Sequence, residues 1–83
     1  PENALEVWPN PVEDELQWSI PDLPAFRNPT DYQVTNVSGY AVRAGAIRPG
    51  ERRVDVRGLP PGIYFLNLVK NGKIRGVRRF VKM

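Results

Sequence analysis

The sequence lacks cysteine and histidine and contains only two serines. Without cysteine, neither a disulfide framework nor a thiolate metal site can form. Without histidine, the chain has neither the commonest general base nor the commonest zinc ligand. Ser19 and Ser38 therefore cannot belong to a Ser-His-Asp triad. We predict a domain that is not an enzyme and that has no cofactor and no metal site.

Long apolar segments are also lacking. No run approaches the length that spans a bilayer, and no charged-then-apolar leader opens the chain, so we expect a soluble piece. The nine prolines and seven glycines favour short elements joined by tight turns, which is typical of all-β proteins. A chain of 83 residues suffices for one small core, and we predict a single domain over residues 1–83.

Charge is distributed unevenly along the chain. Residues 1–42 carry one base and seven acids, a balance of −6, whereas residues 43–83 carry eleven bases and two acids, a balance of +9. A basic half can bind nucleic acid, but no DNA- or RNA-binding motif accompanies these bases. We interpret them as solvated strand faces and expect no nucleic-acid partner.

The clearest local structure is predicted at residues 59–69. Leu59-Pro60-Pro61-Gly62 forms a corner, because proline restricts φ and glycine accepts backbone angles that other residues avoid. The mostly apolar run from Ile63 to Val69 then favours a central strand. A tyrosine just after such a corner is similar to the tyrosine corner of immunoglobulin-like sandwiches, in which the phenol bonds to backbone upstream. Tyr64 is thus expected to support the fold.

Alternating or β-branched segments elsewhere predict six further strands. In the cleanest of them, Leu16, Trp18 and Ile20 alternate with polar residues, and we place Trp18 in the core rather than on a sugar-binding surface. Val54 and Val56 are likewise expected to face inward. The predicted strands span residues 4–8, 15–20, 31–37, 40–43, 52–57, 63–69 and 73–82. They predict an all-β fold, an immunoglobulin-like antiparallel β-sandwich of about seven short strands.

Turn residues separate these strands. Trp8-Pro9-Asn10-Pro11 predicts a rigid bend, Gly39 supplies a hairpin turn, and Pro49-Gly50 occupies the centre of a type II turn. Residues 21–30, with three prolines, predict a loop whose Leu23 and Phe26 tuck against the sandwich.

The dipeptide Asn71-Gly72 predicts a type I′ hairpin that returns the last strand onto the central one. A two-residue loop places Leu66 opposite Val77, Ile63 opposite Phe80 and Tyr64 opposite Arg79. Val77 and Phe80 differ in parity, however, so they share a face only if a bulge intervenes, for which Gly76 is the natural site.

Four ordered blocks together resemble a known family. The blocks are Trp8-Pro9-Asn10-Pro11-Val12 with Glu15-Leu16, Asn36-Val37-Ser38-Gly39 with Val42, Val54-Asp55-Val56 with Leu59-Pro60-Pro61-Gly62-Ile63-Tyr64, and Arg79-Phe80-Val81-Lys82. They resemble the C-terminal sorting domain of proteins exported by the bacterial type IX secretion system. Trp8 stands where the family more usually has Tyr or Phe, and the loop from Pro21 to Pro29 carries no family motif.

The resemblance implies a C-terminal secretion signal. Such a domain follows a cargo protein, is recognised by the outer-membrane translocon after the cargo folds in the periplasm, and is commonly removed by a cell-surface sortase. Shuttle components take part, and the cargo end is joined to anionic lipopolysaccharide. The resemblance thus implies the periplasm in transit, and then the cell surface or extracellular space of a Gram-negative bacterium.

Under this resemblance, the last strand is the expected contact with the translocon. An edge strand can be captured by strand addition, and its bases discourage self-pairing and attract an acidic receptor. The expected recognition residues are Arg78, Arg79, Phe80, Val81 and Lys82. The motif residues expected to hold the fold are Pro9, Asn10, Pro11, Gly39, Leu59, Gly62, Tyr64, Asn71 and Gly72.

Two other functions remain open at this point. One is a non-catalytic immunoglobulin- or fibronectin-like accessory or adhesion module that binds carbohydrate through Trp8, Tyr32 or Tyr40. The other is a purely structural spacer or adhesin domain. The sequence also leaves open a weak homodimer through an edge strand.

Overall fold

The structure, a computed structural model, describes residues 5–20 and 29–83. These residues form seven strands and no helix, so the predicted all-β class is confirmed. The strands are β1 (Glu6–Trp8), β2 (Glu15–Ser19), β3 (Asp31–Asn36), β4 (Ala41–Ala46), β5 (Arg53–Asp55), β6 (Gly62–Lys70) and β7 (Lys73–Lys82). The loop that contains Leu23 and Phe26 lies outside the described residues, so that prediction is untested.

The strands form two antiparallel sheets, as predicted for a sandwich. One sheet has three strands in the order β1-β2-β5, and the other has four in the order β4-β3-β6-β7. In constant-type immunoglobulin domains the fourth strand joins the first sheet. Here β4 pairs with β3 instead, because the tight turn around Gly39 keeps the two strands adjacent. β6 lies between β3 and β7 and is thus an interior strand, as its apolar sequence predicts.

The core lies between the sheets and is built from the inward positions of both. Leu16 and Val54 are register partners in the smaller sheet, and both are buried. Trp18 is only 1% exposed, which confirms its place in the core, and the Arg52 guanidinium stacks 4.8 Å from its ring centroid. The buried apolar residues are Leu5, Val12, Leu16, Trp18, Val34, Val54, Val56, Leu59, Tyr64, Leu66, Leu68 and Phe80.

The corner before β6 is a tyrosine corner, as predicted. The Tyr64 hydroxyl donates a 2.6 Å hydrogen bond to the Pro60 carbonyl, four residues upstream. The Tyr64 ring also stacks on Phe80, with 5.9 Å between ring centroids. The corner is therefore tied both to its own backbone and to the last strand.

Asn67 is the one polar residue in the apolar run of β6, and it is 6% exposed. Its Nδ2 donates to the Thr35 hydroxyl at 3.1 Å and to the Gln33 carbonyl at 3.2 Å. Because burial of an unpaired amide is unfavourable, these bonds allow Asn67 to lie within the sheet. They also join β6 to β3 beyond the backbone ladder.

The predicted register of the last hairpin is wrong by one residue over most of its length. The type I′ turn is present, with Asn71 at φ 55° and Gly72 at φ 75°. A bulge then follows, since Val69 pairs with Ile74 whereas Leu68 pairs with Gly76. Arg75 is thus the extra residue, one position before the predicted site.

Because of this shift, the cross-strand pairs differ from the prediction. Tyr64 faces Phe80 rather than Arg79, and Ile63 faces Val81. Two aromatic rings thereby meet in the core, which the unbulged register does not permit. Val77 lies on the other face of the sheet and is half-buried.

Candidate recognition strand

β7 is an edge strand of the larger sheet, with β6 on one side. On its other side, part of its C-terminal end is paired with residues 10–12. Val12 donates its N–H to the Val81 carbonyl at 2.8 Å and accepts one from Met83 at 2.9 Å. The Asn10 side-chain oxygen accepts the Val81 N–H at 2.9 Å. This part of the edge is therefore closed by the chain itself.

The closure gives Asn10 and Val12 structural roles. In a regular strand pair, a backbone carbonyl of the neighbouring strand accepts the edge N–H. Here the side-chain amide oxygen of Asn10 is the acceptor instead. Both peptide bonds that precede Pro9 and Pro11 are cis. Val12 enters the core and forms a parallel bridge with Lys82. Asn10 and Val12 thus hold the last strand in place, whereas the supporting role of Pro9 and Pro11 stays a prediction.

Two residues earlier, no described residue closes the edge of β7. Successive residues of a strand direct their N–H and C=O groups to alternate sides, so Arg79 presents these groups on the same side as Val81. Among the residues that the structure describes, these two groups of Arg79 have no hydrogen-bond partner. Within the described part of the chain, Arg79 is thus a point on this edge whose N–H and C=O are not bonded.

An open groove of about 480 Å³ lies beside this part of the strand. Phe65 and Val77 give it an apolar wall on the outer face of the sheet, and Asn10 lies where the closed part of the edge begins. Its lining residues are Asn10, Phe65, Val77, Arg78 and Arg79. Backbone groups and apolar surface thus lie beside Arg79, the register partner of Phe65, whereas Arg78 lines the groove from the next position along the strand.

The five predicted recognition residues differ in their surroundings. Arg78 and Arg79 are exposed, on opposite faces of the strand, and neither forms an ion pair with any described residue. Phe80 is fully buried in the core, and Val81 is half-buried. Lys82 is only 8% exposed, with its ammonium group bonded to the Met83 carbonyl at 2.9 Å. Of the five residues, only the two arginines are exposed.

The remaining motif residues lie at turns and corners. Gly39, at φ 89°, completes a turn in which the Asn36 side-chain oxygen accepts two backbone N–H groups at 3.0 Å. Leu59 packs in the core beside the tyrosine corner, and Asn71 with Gly72 closes the last hairpin. Their positions suit support of the fold rather than direct contact with a partner.

Sequence reasoning missed the part that Val12 plays in closing the edge. A single parallel bridge leaves no periodic pattern, and its partners are 70 positions apart, so no local signal identifies it. The role of Asn10 is easier to predict from the sequence, since an asparagine between two prolines cannot continue a strand and often bonds to nearby backbone.

The described part of the chain holds neither a candidate metal site nor a candidate membrane-spanning helix. No group of three or more Asp and Glu side chains converges there in a way that could hold a metal ion. No helix among residues 5–20 and 29–83 has the length and hydropathy to cross a bilayer.

The aromatic residues considered for carbohydrate binding lie on different elements. Trp8 on β1 is 43% exposed, and Tyr40, in the turn before β4, is 71% exposed. Tyr32 on β3 packs against the core and lies close over Gly45, where an added Cβ would come within 3.0 Å of its ring. Tyr64 and Phe80 form the aromatic pair of the described residues, and it is internal.

Comparison with known protein families decides between these functions. Residues 6–83 match the model of the secretion system C-terminal sorting domain. The chain belongs to this family. No curated protein and no solved structure matches it. The sorting domain is thus a C-terminal signal of type IX secretion. Domains of this family follow a cargo protein and interact with the secretion machinery. Family membership implies export to the cell surface or extracellular space of a Gram-negative bacterium.

Proposed function

We propose that the type IX outer-membrane translocon reads the sorting domain at the open part of β7, around Arg78 and Arg79. The observation that carries this proposal is the change along one edge, from the closed backbone of Val81 to the backbone of Arg79, to which no described residue bonds. A receptor strand can add at this point, because main-chain hydrogen bonds provide affinity in strand addition. The groove beside it then accepts side chains.

Charge supports an acidic receptor surface. Neither arginine is neutralised by a described acid, so both are available to a partner. Electrostatic complementarity of this kind raises association rates and selects partners. The same charges oppose the pairing of two β7 strands from separate copies, so a homodimer through this edge is weak.

The buried members of the predicted site act through the fold. Phe80 and Lys82 fix the strand against Tyr64 and residues 10–12, and we assign them no direct contact. Recognition therefore requires a folded domain, since unfolding separates Asn10 from Val81 and removes the boundary between closed and open edge.

The proposal includes the later steps of export. A shuttle component carries the recognised domain to the surface, where a sortase removes it and joins the cargo end to anionic lipopolysaccharide. Family membership supports these steps, and the chemistry belongs to the sortase. A reporter recovered from the surface should therefore lack the domain, whose mass is 9.4 kDa. A surface reporter that keeps the intact domain would contradict sortase removal without affecting recognition at β7.

The recognition step is tested with a folded reporter fused in front of the sorting domain in a type IX-competent host. We expect the double variant Arg78→Gln/Arg79→Gln to remain in the periplasm. The matched control is Arg53→Gln/Arg57→Gln, which removes the same charge from exposed positions outside β7 and should be exported. Circular dichroism of both purified variants checks that they are folded. Normal surface display of the β7 variant would contradict the proposal.

A further inference from the structure

The tip of the β6–β7 hairpin places like charges next to each other. Lys70 ends β6, Lys73 begins β7, and the two residues are direct register partners across the type I′ turn. Like charges opposite each other on neighbouring strands are destabilising. This arrangement therefore reduces the stability of the free domain.

A third cation is added by the bulge. Arg75 is the extra residue between Ile74 and Gly76, so it has no partner in the register and is exposed. Bulges re-aim side chains and often occur where a strand meets a ligand. Lys73 and Arg75 thus flank Ile74 in sequence, and with Lys70 they form what we call the basic tip.

The basic tip is not neutralised within the described residues. Asp31 is the closest acid in the register, since it pairs with Val69, the residue before Lys70. Its carboxylate accepts a hydrogen bond from the Thr30 hydroxyl at 3.1 Å. No described acid forms an ion pair with Lys70, Lys73 or Arg75.

An exposed apolar residue lies in the same segment, and its register partner is Val69 rather than Lys70. Ile74 is 57% exposed, although it lies on a strand whose other large apolar residues are buried or half-buried. Exposed isoleucine beside clustered lysine and arginine is the composition of a surface that enters the interface of an anionic bilayer. A soluble polyanion would bind the three cations but would not remove Ile74 from water.

We propose that the basic tip docks on the surface of a membrane that contains anionic lipids, with Ile74 entering the headgroup region. The three cations attract the negative surface, and the lipid charge relieves the repulsion between Lys70 and Lys73. Arg79 lies four residues beyond Arg75 and six beyond Lys73 along β7, which is about 13 Å and about 20 Å at the usual rise per residue. Docking therefore leaves the edge at Arg79 accessible.

Vesicle sedimentation tests this proposal. The purified chain is mixed with vesicles of phosphatidylcholine alone or of phosphatidylcholine with phosphatidylglycerol. We expect binding only to the vesicles with phosphatidylglycerol, and we expect it to weaken as salt is added. Binding to neither vesicle, or to both equally, overturns the proposal.

Variants locate the contact. Lys70→Gln/Lys73→Gln should lower the partition coefficient about 25-fold, because each base near an anionic surface contributes about a fivefold factor. The matched control Arg53→Gln/Arg57→Gln carries the same net charge and should lower it much less. Equal losses in the two variants would point to non-specific charge attraction and would overturn the assignment to the tip.

Ile74→Ser separates a membrane from a soluble polyanion. It keeps every charge, and it should reduce vesicle binding several-fold while leaving retention on a heparin column unchanged. If vesicle binding is also unchanged, the tip is a polyanion site and the membrane proposal is wrong. Thermal unfolding of each variant confirms that it is folded. The proposal is independent of the sorting function, since loss of vesicle binding does not predict loss of recognition at Arg79.

Discussion

The two ends of β7 have opposite surroundings although their compositions are similar. At the C-terminal end, Phe80 is buried against Tyr64 and Val81 is bonded to residues 10–12. At the hairpin end, Lys73, Ile74 and Arg75 are exposed, and the bulge interrupts the register. The comparison teaches that basic residues on one strand do not form one functional surface. Their position relative to residues 10–12, the closing segment, decides which of these basic residues a partner can reach.

The largest expected effect is at the buried end. Phe80→Ala removes an aromatic ring from the core, which should lower the free energy of unfolding by about 3–5 kcal/mol. Typical domains have only about 5–15 kcal/mol in total, so much of the variant should be unfolded at modest urea concentrations.

Arg79→Ala is the control for this prediction, since it changes the neighbouring, exposed residue. It should stay within about 0.5 kcal/mol of the unaltered chain. Urea unfolding followed by tryptophan fluorescence measures both variants. Similar losses of unfolding free energy in the two variants would contradict the division of β7 into a buried Phe80 and an exposed Arg79.

A smaller effect is expected at the closing segment. Asn10→Ala removes the acceptor of the Val81 N–H and should lower the free energy of unfolding by up to about 1 kcal/mol. Asn10→Asp keeps an oxygen at that position and should retain more of the stability. The same urea experiment compares them, and equal stability of the two variants would argue against a structural part for the Asn10 oxygen.

The smallest effect is expected at the hairpin end and has the opposite sign. Lys73→Glu converts the like-charged pair with Lys70 into an opposite-charged pair, which should raise the free energy of unfolding by about 0.2–1 kcal/mol. The gain should shrink in high salt.

Arg57→Glu is the control, because it makes the same change of net charge outside the strands. Thermal unfolding at low and high salt measures the two variants. A gain of the same size in both would show that net charge, rather than the Lys70 pair, is responsible.

Much of the fold follows from local patterns. Alternation at Leu16 and Trp18 predicts their burial, Asn71-Gly72 predicts its turn, and the corner before Tyr64 predicts the bond to Pro60. Each of these signals lies within a few residues of the structure it predicts. Local sterics and side-chain periodicity are sufficient to produce them.

The register and the closing of the edge do not follow from such patterns. Without a bulge Tyr64 would face Arg79, whereas a bulge at Arg75 or at Gly76 places it opposite Phe80, so the register depends on packing across the sheet as well as on the turn. The bonds between Val81 and residues 10–12 join opposite ends of the chain. The sequence thus predicts which segment forms the candidate site. It does not predict which residues of that segment are buried and which are exposed, because this depends on tertiary contacts.

Amide hydrogen exchange within β7 tests the central claim most directly, because closed and open edge are only two residues apart. The account predicts strong protection of the Val81 N–H, which bonds to Asn10, and fast exchange of the Arg79 N–H, which has no partner among the described residues. Equal protection of the two amides would contradict it, since the edge at Arg79 would then be closed to a receptor strand.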